Sequence, residues 1–321
     1  MLEYNKMVFG MLVAFAVAWL GGLVLIPSLR RLKIGQSIRE EGPQSHLSKA
    51  GTPTMGGLII FIALIVSTFA MGALDKNVYM IIFSTLGFGL IGFIDDYIIV
   101  ARNRNLGLKA YQKIIGQIVL AAVIAIYQSQ TSEIGTQIIV PFLERGYIDL
   151  GILYVPFITF VIVGTVNSVN LTDGLDGLAT GITAIVSAFF AFVAFRFGMG
   201  NISIFASCLV GGCIGFLIHN AYPAKVFMGD TGSMGLGGAI SAIAVIMNLP
   251  LIIPIVGGVY LIEALSVIIQ VLSFKIRGKR VFLMSPIHHH FEQKGWKETK
   301  VVIVFWASTV LLAVIGIIAL I

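Results

Sequence analysis

The chain has 321 residues, of which 58% are hydrophobic and only 11% charged, and its mean hydropathy is +0.99. That leaves too little polar surface to cover a water-exposed fold, so the sequence predicts an all-α polytopic membrane protein, residues 1–321 forming one integral membrane domain. The net charge of +6 suits anionic lipid or phosphate and gives no reason to invoke nucleic acid.

Runs of about 15 to 25 apolar residues predict roughly ten spans, each about long enough to cross the hydrocarbon. Their expected limits are 7–27, 55–73, 78–97, 111–128, 152–168, 178–197, 202–219, 235–249, 251–274 and 299–321. The first span precedes Arg30, Arg31 and Lys33, whereas a cleaved signal carries its positive charge before the apolar stretch, so a retained helix is expected. In the following loop His46 reads as loop or interface structure, and Lys49 precedes a tight turn, Gly51-Thr-Pro-Thr-Met-Gly-Gly57, where an ammonium group suits a phosphate. The third span closes on Asp95-Asp96. Adjacent helical residues point about 100° apart, so these carboxylates should serve different partners, and acids at a helix C-terminus oppose the dipole unless they have work to do.

Lys113 opens the fourth span, and residues 136–153 then alternate around Glu144-Arg145-Gly146, predicting a short external β-hairpin. Between the fifth and sixth spans Asn167, Asn170, Asp173 and Asp176 recur at intervals of three, predicting one polar helical face, with Gly174 and Gly177 letting a ligand approach the backbone. Such a stripe is costly at a bilayer edge unless it binds something, and a divalent cation with the phosphates it carries is the natural candidate. Cys208 and Cys213, inside the seventh span, fit neither a disulfide framework nor a metal knuckle.

Met228-Gly-Asp-Thr-Gly-Ser-Met234 places Asp230 just ahead of the eighth predicted span, where free helix N–H groups favour anions and metal-bound phosphate. Nearby Phe227 is either an apolar anchor or a stacking face for a base. The eighth span is short, and the ninth carries Pro254, Gly257, Gly258 and a charged Glu263, so bent or tilted segments are expected there, with Glu263 as a paired buried charge. His288, His289 and His290 follow in a basic loop, and consecutive imidazoles splay apart, favouring substrate contact over a shared transition metal.

Alternating loops divide the 21 basic residues unevenly: only Lys6, Lys76, Arg145 and Arg196 fall on one side. By the positive-inside rule that side is external, both termini lie outside, and Asp95, Asp96, Asp173, Asp176 and Asp230 share the cytoplasmic face. Carboxylates, amides, lysines and histidines at one membrane surface suit Mg²⁺-assisted phosphoryl transfer between a lipid and a water-borne substrate. A secondary transporter is the competing class, although transporters place such groups near the midplane on broken helices.

Taken together, Lys49-x-Gly-Thr-Pro-Thr-Met-Gly-Gly57, Asp95-Asp96-Tyr97, Asn167-Ser-Val-Asn-Leu-Thr-Asp-Gly-Leu-Asp-Gly-Leu178, Met228-Gly-Asp-Thr-Gly-Ser-Met234 and Pro286-Ile-His-His-His-Phe-Glu292 closely resemble the bacterial phospho-N-acetylmuramoyl-pentapeptide-transferase family over nearly the whole chain. The aspartate motifs are shared with polyprenyl-phosphate GlcNAc-1-phosphate transferases, and the triple histidine marks the muramoyl branch. The resemblance implies a ten-helix enzyme of the bacterial inner membrane, often a homodimer, that transfers phospho-MurNAc-pentapeptide from UDP-MurNAc-pentapeptide to undecaprenyl phosphate with Mg²⁺. It implies Asp230 as principal metal ligand, Asp95 or Asp96 assisting the lipid phosphate, and Asn170, Asp173 and Asp176 lining the nucleotide and diphosphate. It further implies Asn220 and Phe227 near uridine, Lys49 and Lys113 as cationic contacts, and His288, His289 and His290 at the sugar-diphosphate end. Ile99 stands where the family commonly has lysine, so that contact must come from another base such as Arg102 or Lys113. Direct attack by the lipid phosphate and a covalent aspartyl intermediate are both compatible with these residues.

Overall fold

The computed structural model describes residues 2–31, 49, 51–102, 107–143 and 146–320. Lys33, Arg39, His46, Arg104, Glu144 and Arg145 lie outside the described residues. Helices follow in the order α1 Leu2–Arg31, α2 Gly57–Ala70, α3 Lys76–Arg102, α4 Ala110–Thr131, α5 Tyr154–Thr172, α6 Leu178–Arg196, α7 Gly200–Asn220, α8 Gly229–Ile246, α9 Ile253–Val256, α10 Gly258–Arg277, α11 Ile287–Gln293 and α12 Glu298–Ile318. Among the described residues, eight helices are individually long and apolar enough to span a membrane. The other two predicted spans are α2, whose 14 residues rise only about 21 Å, and α8. Both lie against neighbouring helices instead of relying on lipid: every residue of α8 from Thr231 to Ile246 is buried.

Lipid tails are as apolar as leucine, so helices in a membrane gain little from hydrophobic burial and associate through close packing of small residues. The glycine-rich start of α8 shows this directly. A Cβ on Gly92 of α3 would lie 2.0 Å from the carbonyl oxygen of Asp230, and one on Gly57 of α2 would lie 2.1 Å from Cα of Gly232. Both crossings therefore require glycine. α6 and α7 complete the centre, whereas α1, α4, α10 and α12 present broad apolar faces outward.

The predicted hairpin is present as β1 Gln137–Ile139 and β2 Tyr147–Asp149, antiparallel with Ile138 opposite Ile148. Thr136 Oγ1 and the Gly151 N–H both donate to Asp149, whose carboxyl is thereby held below the usual range. The Ile139 N–H donates to the Asn248 carbonyl at 2.9 Å, which seats the hairpin on the end of α8 remote from Asp230.

Three predicted boundaries move. α3 continues six residues past Asp96 to Arg102, so the aspartate pair lies inside the helix and not at its end. α8 begins at Gly229 and not at 235, because its first turn is capped from α3 and packed through glycine. The ninth span is interrupted: a 3₁₀ turn at Pro250–Ile252 and α9 precede a break at Gly257, after which α10 begins. The histidine segment, expected as loop, forms the short helix α11.

Candidate active site

The aspartates meet at one end of the bundle, where the late part of α3, the start of α4, the α5–α6 turn and the first turn of α8 converge. As expected from their 100° offset, the neighbours on α3 face different partners. Asp95 accepts a hydrogen bond from the Leu108 N–H at 2.6 Å and pairs with Lys113 Nζ at 2.9 Å. Asp96 turns to α8, accepting from the Asp230 N–H at 3.2 Å, the Thr231 N–H at 2.9 Å and Thr231 Oγ1 at 2.7 Å.

Asp230 projects from that capped first turn into the space between α4 and α5. Lys113 Nζ donates to its Oδ2 at 2.5 Å and Asn170 Nδ2 to its Oδ1 at 2.9 Å. Lys113 thus joins Asp95 to Asp230 from a separate helix. Arg102, by contrast, is exposed at the end of α3. Asn170 is steadied by a second contact from Nδ2 to Ser233 Oγ at 2.9 Å.

The stripe of period three divides at the end of α5. Asn167 and Asn170 lie in the helix, Asp173 caps it, and Asp176 falls beyond, in a turn that Gly177 closes at φ +78 before α6. Asn167 is committed to the fold, since its Nδ2 donates to Gln117 Oε1 at 2.6 Å and to the Val163 carbonyl. Among the described residues no group donates to the Asp173 carboxylate: burial first, and then the carboxylates of Asp230, Asp96 and Asp176, push it well above the usual range. Asp176 instead accepts from Lys49 Nζ at 2.7 Å and from the Ala224 N–H at 2.9 Å.

Lys49 is shared. It also donates to Glu298 Oε1 at 2.7 Å, and Glu298 accepts from the Asp176 N–H at 2.8 Å, so one ammonium group ties the segment before α2, the α5–α6 turn and the start of α12. Burial acts to lower the Lys49 ammonium, but hydrogen bonds and charge from Asp176 and Glu298 together hold it above the ordinary lysine value. Asn220 is fully engaged, accepting from Thr180 Oγ1 and donating to the Val226 carbonyl. It shapes the segment bearing Phe227, whose own N–H donates to the Pro53 carbonyl while its carbonyl accepts from the Gly56 N–H.

The histidines find three separate environments. His288 is fully buried, its Nδ1 3.1 Å from Oε1 of the equally buried Glu263, and its ring fills space beside Gly174, where a Cβ would lie 2.2 Å from Nε2. His288 thereby links α11 to the aspartate turn. His289 pairs with Glu292 at 2.8 Å. His290 Nδ1 accepts from the Leu283 N–H at 3.1 Å, which requires that nitrogen to be unprotonated; burial and then Lys294 lower its pKa in the same direction. Thr231 and Ser233 belong to the site's framework from within the Met228–Met234 motif, whereas Gln117 and Glu298 join it without any sequence pattern that announces them.

Among the described residues, no three His, Cys, Asp or Glu groups converge closely enough to hold a metal ion alone. The donor set is nevertheless hard oxygen, and a cation beside Asp173 would relieve its repulsion from Asp230. Mg²⁺ usually takes one or two protein carboxylates and completes its shell with water and phosphate oxygens, so this arrangement fits it.

Comparison with known proteins follows the same map. The profile of glycosyl transferase family 4 matches residues 78–248, and a phospho-N-acetylmuramoyl-pentapeptide-transferase signature matches residues 49–61. Over the full length of both chains, the sequence is 55% identical to a protein of Alkaliphilus metalliredigens named phospho-N-acetylmuramoyl-pentapeptide-transferase. Proteins of that name from Acetivibrio thermocellus and Clostridioides difficile are 53% and 50% identical, the matches covering 98% and 99% of this chain and 95% and 99% of theirs.

Proposed function

The chain belongs to the phospho-N-acetylmuramoyl-pentapeptide-transferase family, and from that membership we infer that it transfers phospho-MurNAc-pentapeptide from UDP-MurNAc-pentapeptide to undecaprenyl phosphate, yielding lipid I and UMP. The observation that carries the reading at residue level is the Asp95–Lys113–Asp230 bridge beside an unbonded Asp173. In the step itself, an oxygen of the lipid phosphate attacks the sugar-linked phosphorus. A new P–O bond forms there, the bond to the bridging oxygen breaks, and UMP leaves with that electron pair. A phosphate oxyanion is already nucleophilic at neutral pH, and Asp95 and Asp96 are both hydrogen-bonded, so direct attack is favoured over an aspartyl intermediate.

Lys113 stands ready to exchange its carboxylate partners for phosphate oxygens, and Asn170 holds Asp230 in one rotamer. Asp230, with Asp173, would hold Mg²⁺, which supplies neutralisation of charge developing between the two phosphates. Lys49 and Phe227, on the α2 side, would contact the nucleotide end, and α11, which packs beside Gly174, would lie toward the sugar. The asymmetry of basic residues supports a site facing the cytoplasm with both termini outside. Pairing into a homodimer belongs to the same proposal, on the strength of the family resemblance. Concentration of the carboxylates at one end of the bundle, and not midway, argues against a transporter.

The test is UMP release by purified protein given undecaprenyl phosphate and either UDP-MurNAc-pentapeptide or UDP-GlcNAc, with Mg²⁺ or excess chelator. Release with the muramoyl substrate and Mg²⁺ alone is expected. Equal turnover of UDP-GlcNAc would move the chain to the other branch, and full activity in chelator would remove the metal.

A further inference from the structure

Asp96 sits in an aspartate pair, yet both of its oxygens are occupied by groups of α8. Oδ1 accepts from the Asp230 N–H, and Oδ2 accepts from the N–H and hydroxyl of Thr231. These backbone groups belong to the first turn of α8, where helical N–H donors have no partner within their own helix. An anion there satisfies the donors and meets the positive end of the helix dipole. Met228, the residue ahead of the helix, provides no side-chain cap. The cap arrives from another helix.

Glycine makes this reach possible. A Cβ on Gly229 would lie 2.6 Å from Asp96 Oδ2, and one on Gly92, one turn before Asp96, would meet the Asp230 carbonyl. Asp96 is also buried, with 6% of its surface exposed, whereas the Asp230 side chain retains 27%. The two carboxylates therefore differ in kind: one is enclosed and bonded through both oxygens to the first turn of α8, the other open toward the site.

We propose that Asp96 is a positioning residue that caps α8 from α3 and thereby fixes the direction in which Asp230 projects, leaving direct contact with phosphate to Asp95, Asp230 and Lys113. This rests on Asp230 being the working carboxylate of the reaction. Moving the first turn of α8 by about 1 Å would misplace Asp230 and lower turnover without altering the surfaces that bind either substrate.

The experiment compares Asp96→Asn, Asp96→Ala, Thr231→Ala and Asp230→Asn by UMP release, with kcat, both KM values, the pH profile and thermal unfolding measured for each. Asparagine keeps one carbonyl oxygen for the Thr231 N–H, so Asp96→Asn should lower kcat about 10-fold and Asp96→Ala about 100-fold, both KM values staying within about twofold. The acid limb of the pH profile should be unchanged in Asp96→Asn, and adding Thr231→Ala to it should cost less than Thr231→Ala costs alone, because both act on one contact. If Asp96→Ala does not fold, the asparagine and threonine variants still decide. Equal abolition by Asn and Ala with Thr231→Ala inert, or loss of the acid limb in Asp96→Asn, would overturn the proposal by making Asp96 a reacting group. Wild-type kcat in Asp96→Asn and Asp96→Ala would overturn it too, while wild-type kcat in Asp230→Asn would strike the underlying reading of Asp230 instead.

Discussion

At the scale of single residues, the site is a set of carboxylates whose roles are separated by what each is bonded to. Asp230 faces Lys113 and Asn170, so Asp230→Asn should reduce UMP release by about 10²–10³-fold, the range for removing one preorganised electrostatic group, while the protein still folds. Asp173 offers a sharper contrast. Its raised pKa means the fold favours the protonated acid, so its contribution to stability is present at low pH and is lost as pH rises through the raised value. At neutral pH and without metal, Asp173→Asn should therefore raise the unfolding temperature while lowering activity, and a thermal shift measured from pH 5 to pH 8 should show the gain growing with pH. Lys49 follows the same sign in a far more alkaline window: its contribution persists below the ordinary lysine pKa and declines in strong alkali as the ammonium deprotonates. Sequence alone marks Asp95, Asp173, Asp176 and Asp230 because acids are expensive in so apolar a chain. It does not mark Glu298, which sits at the start of a helix where an acid is ordinary, and only the folded chain brings it to Lys49.

At the scale of elements, α10 and α11 are joined by the buried Glu263–His288 pair, and His288 in turn rests on Gly174. Glu263→Ala should be strongly destabilising, about 3–5 kcal/mol, because it leaves a buried partner uncompensated and a void, whereas Glu263→Gln fills the same volume and should lose less. Detergent-solubilised unfolding curves for the two variants check this, and similar losses in both would show that charge, not the filling of space, holds the pair. The expectation of a paired Glu263 and the suspicion of a bent ninth span were legible in Pro254, Gly257 and Gly258. The true start of α8 was not, since Gly-Asp-Thr-Gly-Ser has poor helix propensity and becomes helical only when a carboxylate from α3 caps it. For the same reason the polar stripe divides: spacing of three assumes a continuing helix, and Gly174 and Gly177 end it.

At the scale of the molecule, apolar periodicity predicts ten spans because bilayer thickness fixes their length; among the described residues eight helices are long and apolar enough to cross, and the other two predicted segments correspond to α8 and to α2 with only 14 residues. What periodicity could not supply was which helices are central. α7 and α8 are buried nearly all round while α12, the more hydrophobic segment, faces outward, because in lipid the small residues and not the greasy ones mark the contacts. Orientation is directly testable. Cysteines placed at Gly135 in the hairpin end and at Lys297 in the opposite end, in a chain with Cys208 and Cys213 replaced, should label with a membrane-impermeant reagent from outside and inside respectively; the reverse pattern would invert the topology.

The Lys49, Asp176 and Glu298 contact joins parts of the polypeptide that leave the ribosome far apart in time. Until the segment bearing Glu298 emerges, Lys49 and the Asp176 amide lack their common acceptor, so earlier helices can insert into the bilayer with the pocket still unfinished. Competence to handle a reactive diphosphate is then conferred late in biogenesis, when nearly all of the transmembrane scaffold is already in place.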